Sequence, residues 1–337
     1  MAVVHFLNVG DGDCNIIKHD SGHLSVIDVC NAMPSPVNNI AKALGLLSES
    51  PALATTNALA GNYNQKNNPT NPIEYMKGFG YKSIFRFILT HPDMDHMDGI
   101  RHVFSEFKPT NFWDTAHNKE MSKKELSESK YDEKDWEFYK TIRDSEDSPK
   151  TLNYYAGTEL KYFNQDDNGP GGDGLYLLAP YKHLVTKQNQ LKSNNYNDCS
   201  YVILFYCKGK KLIFSGDSHD NTWKEILDNH SKYRKYIEDV DVLFAPHHGR
   251  DSDRDFTFLD VLRPKLTLFG NASSNHLAYS EWTNRDLFKI TNNQAGNVVL
   301  DITSSNLNVY VENENFAKGF SGYSYSPNFK AYHIGYV

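Results

Sequence analysis

His91, Asp93, Asp95 and His96 fall within six residues of the run Thr90-His-Pro-Asp-Met-Asp-His-Met-Asp-Gly99. Imidazole and carboxylate are the side chains that hold cations such as zinc and manganese. In an extended loop, residues i and i+2 point the same way. His91 and Asp93 therefore suit one cation. Asp95 and His96 are adjacent, so they diverge and suit a second one nearby. Two cations a few Å apart can activate a water and neutralise charge on a phosphoryl oxygen. A solvated acidic turn has no need of so many ligand types in so short a space.

The elements around this run are set up to present it. The apolar stretch Ile84–Leu89 reads as a buried strand that stops at His91-Pro92, and a helical pattern follows Gly99 through Ile100, Val103, Phe104 and Phe107. Sites in layered α/β folds lie outside the carboxyl ends of strands. Other apolar strands end in the same manner. Lys211–Ser215 runs into Asp217, and Val240–Ala245 runs into Pro246-His-His-Gly249. Arg263–Phe269 is followed closely by His276. Strands sharing one rim would bring these groups together. The opening residues read as a β-meander, Val3–Val9, Cys14–Lys18 and Leu24–Val29, with Gly10-Asp-Gly-Asp13 as a tight turn. Asp13 is either a turn residue or an acceptor for a metal-bound histidine.

Pro36–Leu47 has a helical pattern, and residues 48–72 read as a loop insertion in which Asn71-Pro72 can cap a helix over Ile73–Lys77. Residues 118–150 form a charged insertion, helix-prone over Asn118–Arg143, with Trp136, Tyr139 and Ile142 on one face. Gln165–Gly174 reads as a loop. A domain over residues 1–312 and an aromatic tail over 313–337 packed on it account for the chain.

The 337 residues are 39% hydrophobic and 13% aromatic, enough for a sizeable core. The net charge of −7 disfavours a general nucleic-acid coat protein. Four cysteines without a C-x-x-C pair favour a reducing compartment. The N-terminus lacks a signal-peptide pattern, and no apolar run approaches the ~20 residues of a membrane span. A soluble cytoplasmic protein without membrane contact is expected.

Leu7-Asn-Val-Gly-Asp-Gly-Asp13, Thr90–Gly99, Asn197-Asp-Cys-Ser200, Leu212-Ile-Phe-Ser-Gly-Asp217 and Ala245-Pro-His-His-Gly249 together resemble the metallo-β-lactamase superfamily. They look most like its ComEC branch, the soluble domain of DNA-uptake proteins and its free-standing relatives. The resemblance implies a four-layer αββα sandwich of two mixed β-sheets. It implies His91 and Asp93 on one metal, Asp95 and His96 on the other, Asp217 bridging, His247 completing one site, and His248 beside it for substrate or proton transfer. The superfamily's more common motif has histidine where Asp93 stands. Asn197 or Asp198 stands near its usual third-strand histidine. Carboxylate in place of imidazole makes the site harder, towards manganese, with zinc still compatible.

Two divalent ions, manganese or zinc, and a phosphodiesterase acting as a nuclease on DNA or RNA are therefore expected. Asp95, Asp217 and His248 would be its catalytic groups. Arg250 would hold a neighbouring phosphate, or is an ordinary surface charge. The alternatives are a hydrolase of cyclic or short nucleotides, and a non-catalytic regulatory subunit whose insertions bind a protein partner. The resemblance also implies a place beside other proteins, including in bacterial defence against phage.

Overall fold

The computed structural model describes residues 1–34, 61–164, 172–191, 195–229, 231, 234–272 and 276–337. The helix expected over Pro36–Leu47, residues 48–60 of the loop insertion and most of Gln165–Gly174 lie outside them.

Strands alternate inward and outward residues, and that period builds two sheets. The first half of the chain supplies β1 (Ala2–Phe6), β2 (Asn15–Lys18), β3 (Leu24–Ile27), β4 (Arg86–Ile88), β5 (Asn111–Trp113) and β6 (Lys150–Leu152). The second supplies β7 (Leu175–Ala179), β8 (Val202–Cys207), β9 (Lys210–Phe214), β10 (Val242–Phe244), β11 (Leu266–Phe269) and β12 (Lys289–Thr291). The chain then returns to the first sheet with β13 (Val298–Ile302), β14 (Leu307–Val311), β15 (Ser324–Ser326) and β16 (Ala331–Tyr336). Among the described residues the larger sheet has ten strands in the order β15-β16-β14-β13-β1-β2-β3-β4-β5-β6, and the smaller has six in the order β12-β11-β10-β9-β8-β7.

Both sheets are mixed. In the larger, pairing is antiparallel from β15 to β3 and parallel from β3 to β6. In the smaller, β9 to β12 run parallel while β7, β8 and β9 are antiparallel. The aromatic C-terminal residues thus extend the larger sheet through β16, which pairs with β14.

Val4, Phe6, Ile88 and Trp113 of the larger sheet pack face to face with Ile203, Phe205, Phe214 and Phe244 of the smaller. The opposite faces carry the helices. Phe87 and Phe112 are covered by Phe104 of helix Ile100–Phe107 and by Trp136 and Tyr139 of helix Glu133–Arg143. Ile213 and Leu243 are covered by Trp223 and Trp282. The result is the expected α/β four-layer arrangement, with one core between the sheets and one outside each.

The charged insertion differs from a single helix over Asn118–Arg143. It forms two, Lys123–Glu128 and Glu133–Arg143. Ser122 opens the first with a reciprocal capping box to Glu125, and Asp132 caps the second through the Lys134 N–H. Polar side chains that satisfy free N–H groups start helices more strongly than general helix propensity sustains one. The Asn71 cap forms as its sequence implies, accepting from Ile73 and Glu74.

At the end of the sandwich where β4 begins, Arg86 donates to Asp173 at 2.7 Å and to Ser25 at 3.0 Å. Asp173 lies just ahead of β7, so the pair ties one sheet to the other. The side chains of Arg86 and Asp173 are 2% and 1% exposed. Removing one partner strands a buried charge. Asp173→Ala is expected to lower the unfolding free energy by about 3–5 kcal/mol, read from urea titration.

Candidate metal centre

At the other end of the sandwich, strand ends from both sheets meet. Asp28 follows β3, His91 to His96 follow β4, Asp217 follows β9, and His247 and His248 follow β10, while Asp13 lies just before β2. The sites gather there because parallel strands in both sheets point their carboxyl ends at one rim.

Asp217 is central. Its Oδ2 faces His91 Nε2 at 3.8 Å and His247 Nε2 at 3.6 Å. Its Oδ1 faces His96 Nε2 at 3.3 Å and His248 Nε2 at 3.6 Å. Asp93 Oδ2 lies 3.6 Å from His91 Nε2, and Asp95 Oδ2 lies 3.7 Å from His248 Nε2. One carboxylate therefore divides the cluster into an Asp93 half and an Asp95 half. These separations are long for hydrogen bonds. They match ligands around an ion, since tetrahedral donors at about 2.0–2.2 Å from a metal stand roughly 3.4 Å from one another.

Four of the atoms pointing inward are buried without a hydrogen-bond partner: Nε2 of His91, His96 and His248, and Oδ1 of Asp217. Each such orphan costs about 1–3 kcal/mol. The outward nitrogens are engaged. His96 Nδ1 pairs with Asp28 Oδ2 at 2.8 Å, His248 Nδ1 with Asp13 Oδ1 at 3.1 Å, and His91 Nδ1 with Thr90 Oγ1 at 3.1 Å. His247 Nδ1 meets His219 Nε2 at 3.2 Å. Carboxylate acceptors behind His96 and His248 leave their Nε2 lone pairs free to coordinate. The donor set fits divalent cations.

Backbone constraints hold this arrangement. Gly12 has φ +77°, and a Cβ there would lie 1.9 Å from the Asp95 carbonyl oxygen. The Gly-Asp-Gly-Asp turn must press against the ligand loop for Asp13 to reach His248. His247 and His248 both adopt left-handed backbone, with φ of 53° and 56°. Such residues cost about 1–3 kcal/mol each and persist where the surroundings dictate them. Here the His247 N–H bonds to the Gly216 carbonyl, next to Asp217.

The charges compensate one another. Burial alone would raise Asp217, but His248, His96 and His91 hold it well below the usual carboxylate range. Asp95 is likewise brought down to about 2 by His96 and His248 against burial. Burial would lower His96 and His248, yet Asp217, with Asp28 beside the first and Asp13 beside the second, holds both well above the usual imidazole value. His247 goes the other way, to about 4, because burial outweighs Asp217. Protons on His96 and His248 thus balance the carboxylates, a role a divalent cation would take over by displacing them.

The further sequence candidates are Asp198, His276 and Arg250. Asp198 accepts from Asn221 and from Thr222, and so caps helix Asp220–Asn229. His276 is exposed, and its carbonyl accepts from the Asp251 N–H. Arg250 follows the histidine pair, with a buried Nε that has no hydrogen-bond partner. Sequence reasoning gave no role to Asp28, His219 or Lys119. His219 stands two residues from Asp217, the same spacing that linked His91 to Asp93, so its signal was present. Lys119 sits within a charged stretch and ion-pairs with Asp93.

No protein-family model matches the chain. A stretch of 135 residues, 36% of this chain, is 29% identical to Actin-binding protein F of Dictyostelium discoideum, and it spans 5% of that protein. Among solved structures, Igni18, described as a novel metallo hydrolase from the archaeon Ignicoccus hospitalis, aligns with 89% of this chain and 100% of its own, at 14% identity and a TM-score of 0.46. A diphosphatase of the PhnP family aligns with 90% of this chain and 98% of its own, at 14% identity and a TM-score of 0.40. The metallo-β-lactamase fold protein YhfI of Bacillus subtilis aligns with 86% and 95%, at 11% identity and a TM-score of 0.40.

Asp28→Ala is expected to weaken divalent-metal affinity by about 10–100-fold, measured by competition with a chromophoric chelator. A pH dependence also follows for metal-free protein. The stabilisation from His96 and His248 is complete below about pH 6.5, their unfolded value, and is lost as pH rises through their raised folded values. The melting temperature of chelator-treated protein should therefore fall on the alkaline side, and added Mn2+ should remove that fall.

Proposed function

We propose that the chain is a divalent-metal-dependent phosphodiesterase that cleaves nucleic acid, in the manner of the ComEC-like branch. The observation that carries this reading is the Asp217 carboxylate set between two pairs of imidazoles, with the inward nitrogens of His91, His96 and His248 buried and unpartnered. His91, Asp93 and His247 would hold one manganese or zinc ion with Asp217 Oδ2. Asp95, His96 and His248 would hold the other with Asp217 Oδ1. Counting His248 as a ligand, in place of the expected role in substrate or proton transfer, is supported by its Nε2, which faces both Asp95 and Asp217. Bound cations of this kind supply Lewis acidity and an activated water.

The chain's own groups do the rest. Asp28 and Asp13 fix the ring orientation of His96 and His248. Asp95, whose carboxylate stays ionised, orients the attacking water. Arg250, two residues after His248 and with a buried Nε that has no hydrogen-bond partner, holds a neighbouring phosphate oxygen through its planar fork of donors. A cytoplasmic setting suits the four cysteines, which are all free and buried. Among the described residues no helix is long and apolar enough to cross a membrane. A role in phage defence beside a partner protein is compatible with the insertions.

A second reading, hydrolysis of cyclic or short nucleotides, has its own support. The Gly-Asp-Gly-Asp turn that touches Asp95 also borders a cavity of about 510 Å3 lined by Asp11, Asp98, Lys130, Tyr131 and Asp132. A compact nucleotide also needs no long basic track, which suits a net charge of −7.

Assay of Mn2+-loaded protein on single-stranded DNA, double-stranded DNA, RNA and cyclic dinucleotides separates the readings. On the first, long polymers are cut, and cleavage falls steeply between about 50 and 200 mM salt. On the second, only small nucleotides turn over, with little salt dependence. Asp217→Ala should reduce kcat/KM on the true substrate at least about 100-fold, since a shared ligand matters more than the partners behind it. An unchanged rate would remove both readings.

A further inference from the structure

We infer that Lys119 makes the two halves of the centre unequal, so that a divalent cation settles first in the Asp95 half and binds the Asp93 half more weakly. The inference rests on the metal reading above and adds to it a determinant from outside the ligand motif.

Asp93 and Asp95 are the same residue type, two positions apart, on either side of Asp217. They differ in what stands behind them. Asp95 faces His248 Nε2 at 3.7 Å, a group that serves as a ligand itself. Asp93 turns Oδ2 towards His91 Nε2 at 3.6 Å and gives Oδ1 to the Lys119 ammonium at 2.5 Å. The carboxylate that would bind the first cation is thus already paired with a fixed positive charge. That charge sits one carboxylate width from where the cation would bind. It repels the cation and draws electron density from its ligand.

Lys119 is not a loose surface lysine. Its side chain is 9% exposed, against 32% for Asp93. Its backbone N–H donates to His117 Nδ1 at 3.0 Å, and its carbonyl accepts from Arg143 at 3.2 Å. His117 stacks on Tyr139, whose hydroxyl donates to Asp114 at 3.0 Å. This buried network seats the start of the charged insertion on the main sheet and aims the ammonium at Asp93. A cation entering this half either shares Asp93 with the ammonium or leaves a poorly solvated ammonium without a partner, and both are unfavourable.

The test is calorimetric titration of metal-free protein with Mn2+, with the spin-coupled Mn2+ resonance signal as a second readout. Wild-type protein should show a tight event and a separate weaker one. Lys119→Met keeps the apolar stem and removes the charge. It should tighten the weaker event at least about tenfold and leave the tight one in place, whereas Lys119→Arg should behave as wild type. Asp93→Asn should abolish the weaker event and spare the tight one. That arm stands even if Lys119→Met fails to fold. Two equal events in wild type, loss of the tight event in Asp93→Asn, or a weaker event unchanged or weakened in Lys119→Met would overturn the inference while leaving the metal reading intact. Absence of Mn2+ uptake by every variant and by wild type would remove the metal reading and the inference with it.

Discussion

A buried carboxylate surrounded by imidazoles is unstable unless something balances it, and the rim of this protein is built around that demand. Asp217 is 3% exposed and faces four histidine nitrogens. Each histidine approaches from a strand end, and each is fixed from behind by a second group. The parallel strands of the two sheets must therefore finish at the same level. The mixed topology meets that requirement through its parallel segments, in which β3 and β4 of one sheet and β9 and β10 of the other end at the cluster.

The opposite end of the sandwich solves the same problem with protein groups alone. Arg86 and Asp173 are both buried, and each also bonds to further polar groups, Ser25 for the arginine and Ser21 and His23 for the aspartate. That charge pair is complete without any ligand. The cluster at the rim leaves inward atoms unsatisfied, and this contrast within one molecule separates a structural ion pair from a site.

Much of this was legible in the sequence because it is local. The strand ending at His91, the helix after Gly99 and the strands before Asp217 and His247 follow from short apolar runs cut off by polar residues. The two sheets and four layers rested on the resemblance, since no periodicity tells which strands share a sheet. Asp28 was passed over because its part depends on a left-handed turn at φ 58° and on parallel pairing of β3 with β4. Neither leaves a compositional trace. Lys119 was hidden for a related reason. One lysine in a charged stretch looks like any other until the fold shows that it points inwards. The break in the charged insertion was readable in principle from Ser122, Glu125 and Asp132, but helix propensity across the whole stretch obscured the caps.

The order of strands in the larger sheet bears on how the chain comes off the ribosome. β1 is sandwiched between β2 and β13, and β13 begins only at Val298. Asp13 and His248 are 235 positions apart. During translation β1 keeps one bare edge until β13 emerges, and an unpaired edge is a template for wrong partners. A nascent chain of this design gains from a chaperone that shields that edge, and its histidine–aspartate cluster closes only after His248 has emerged.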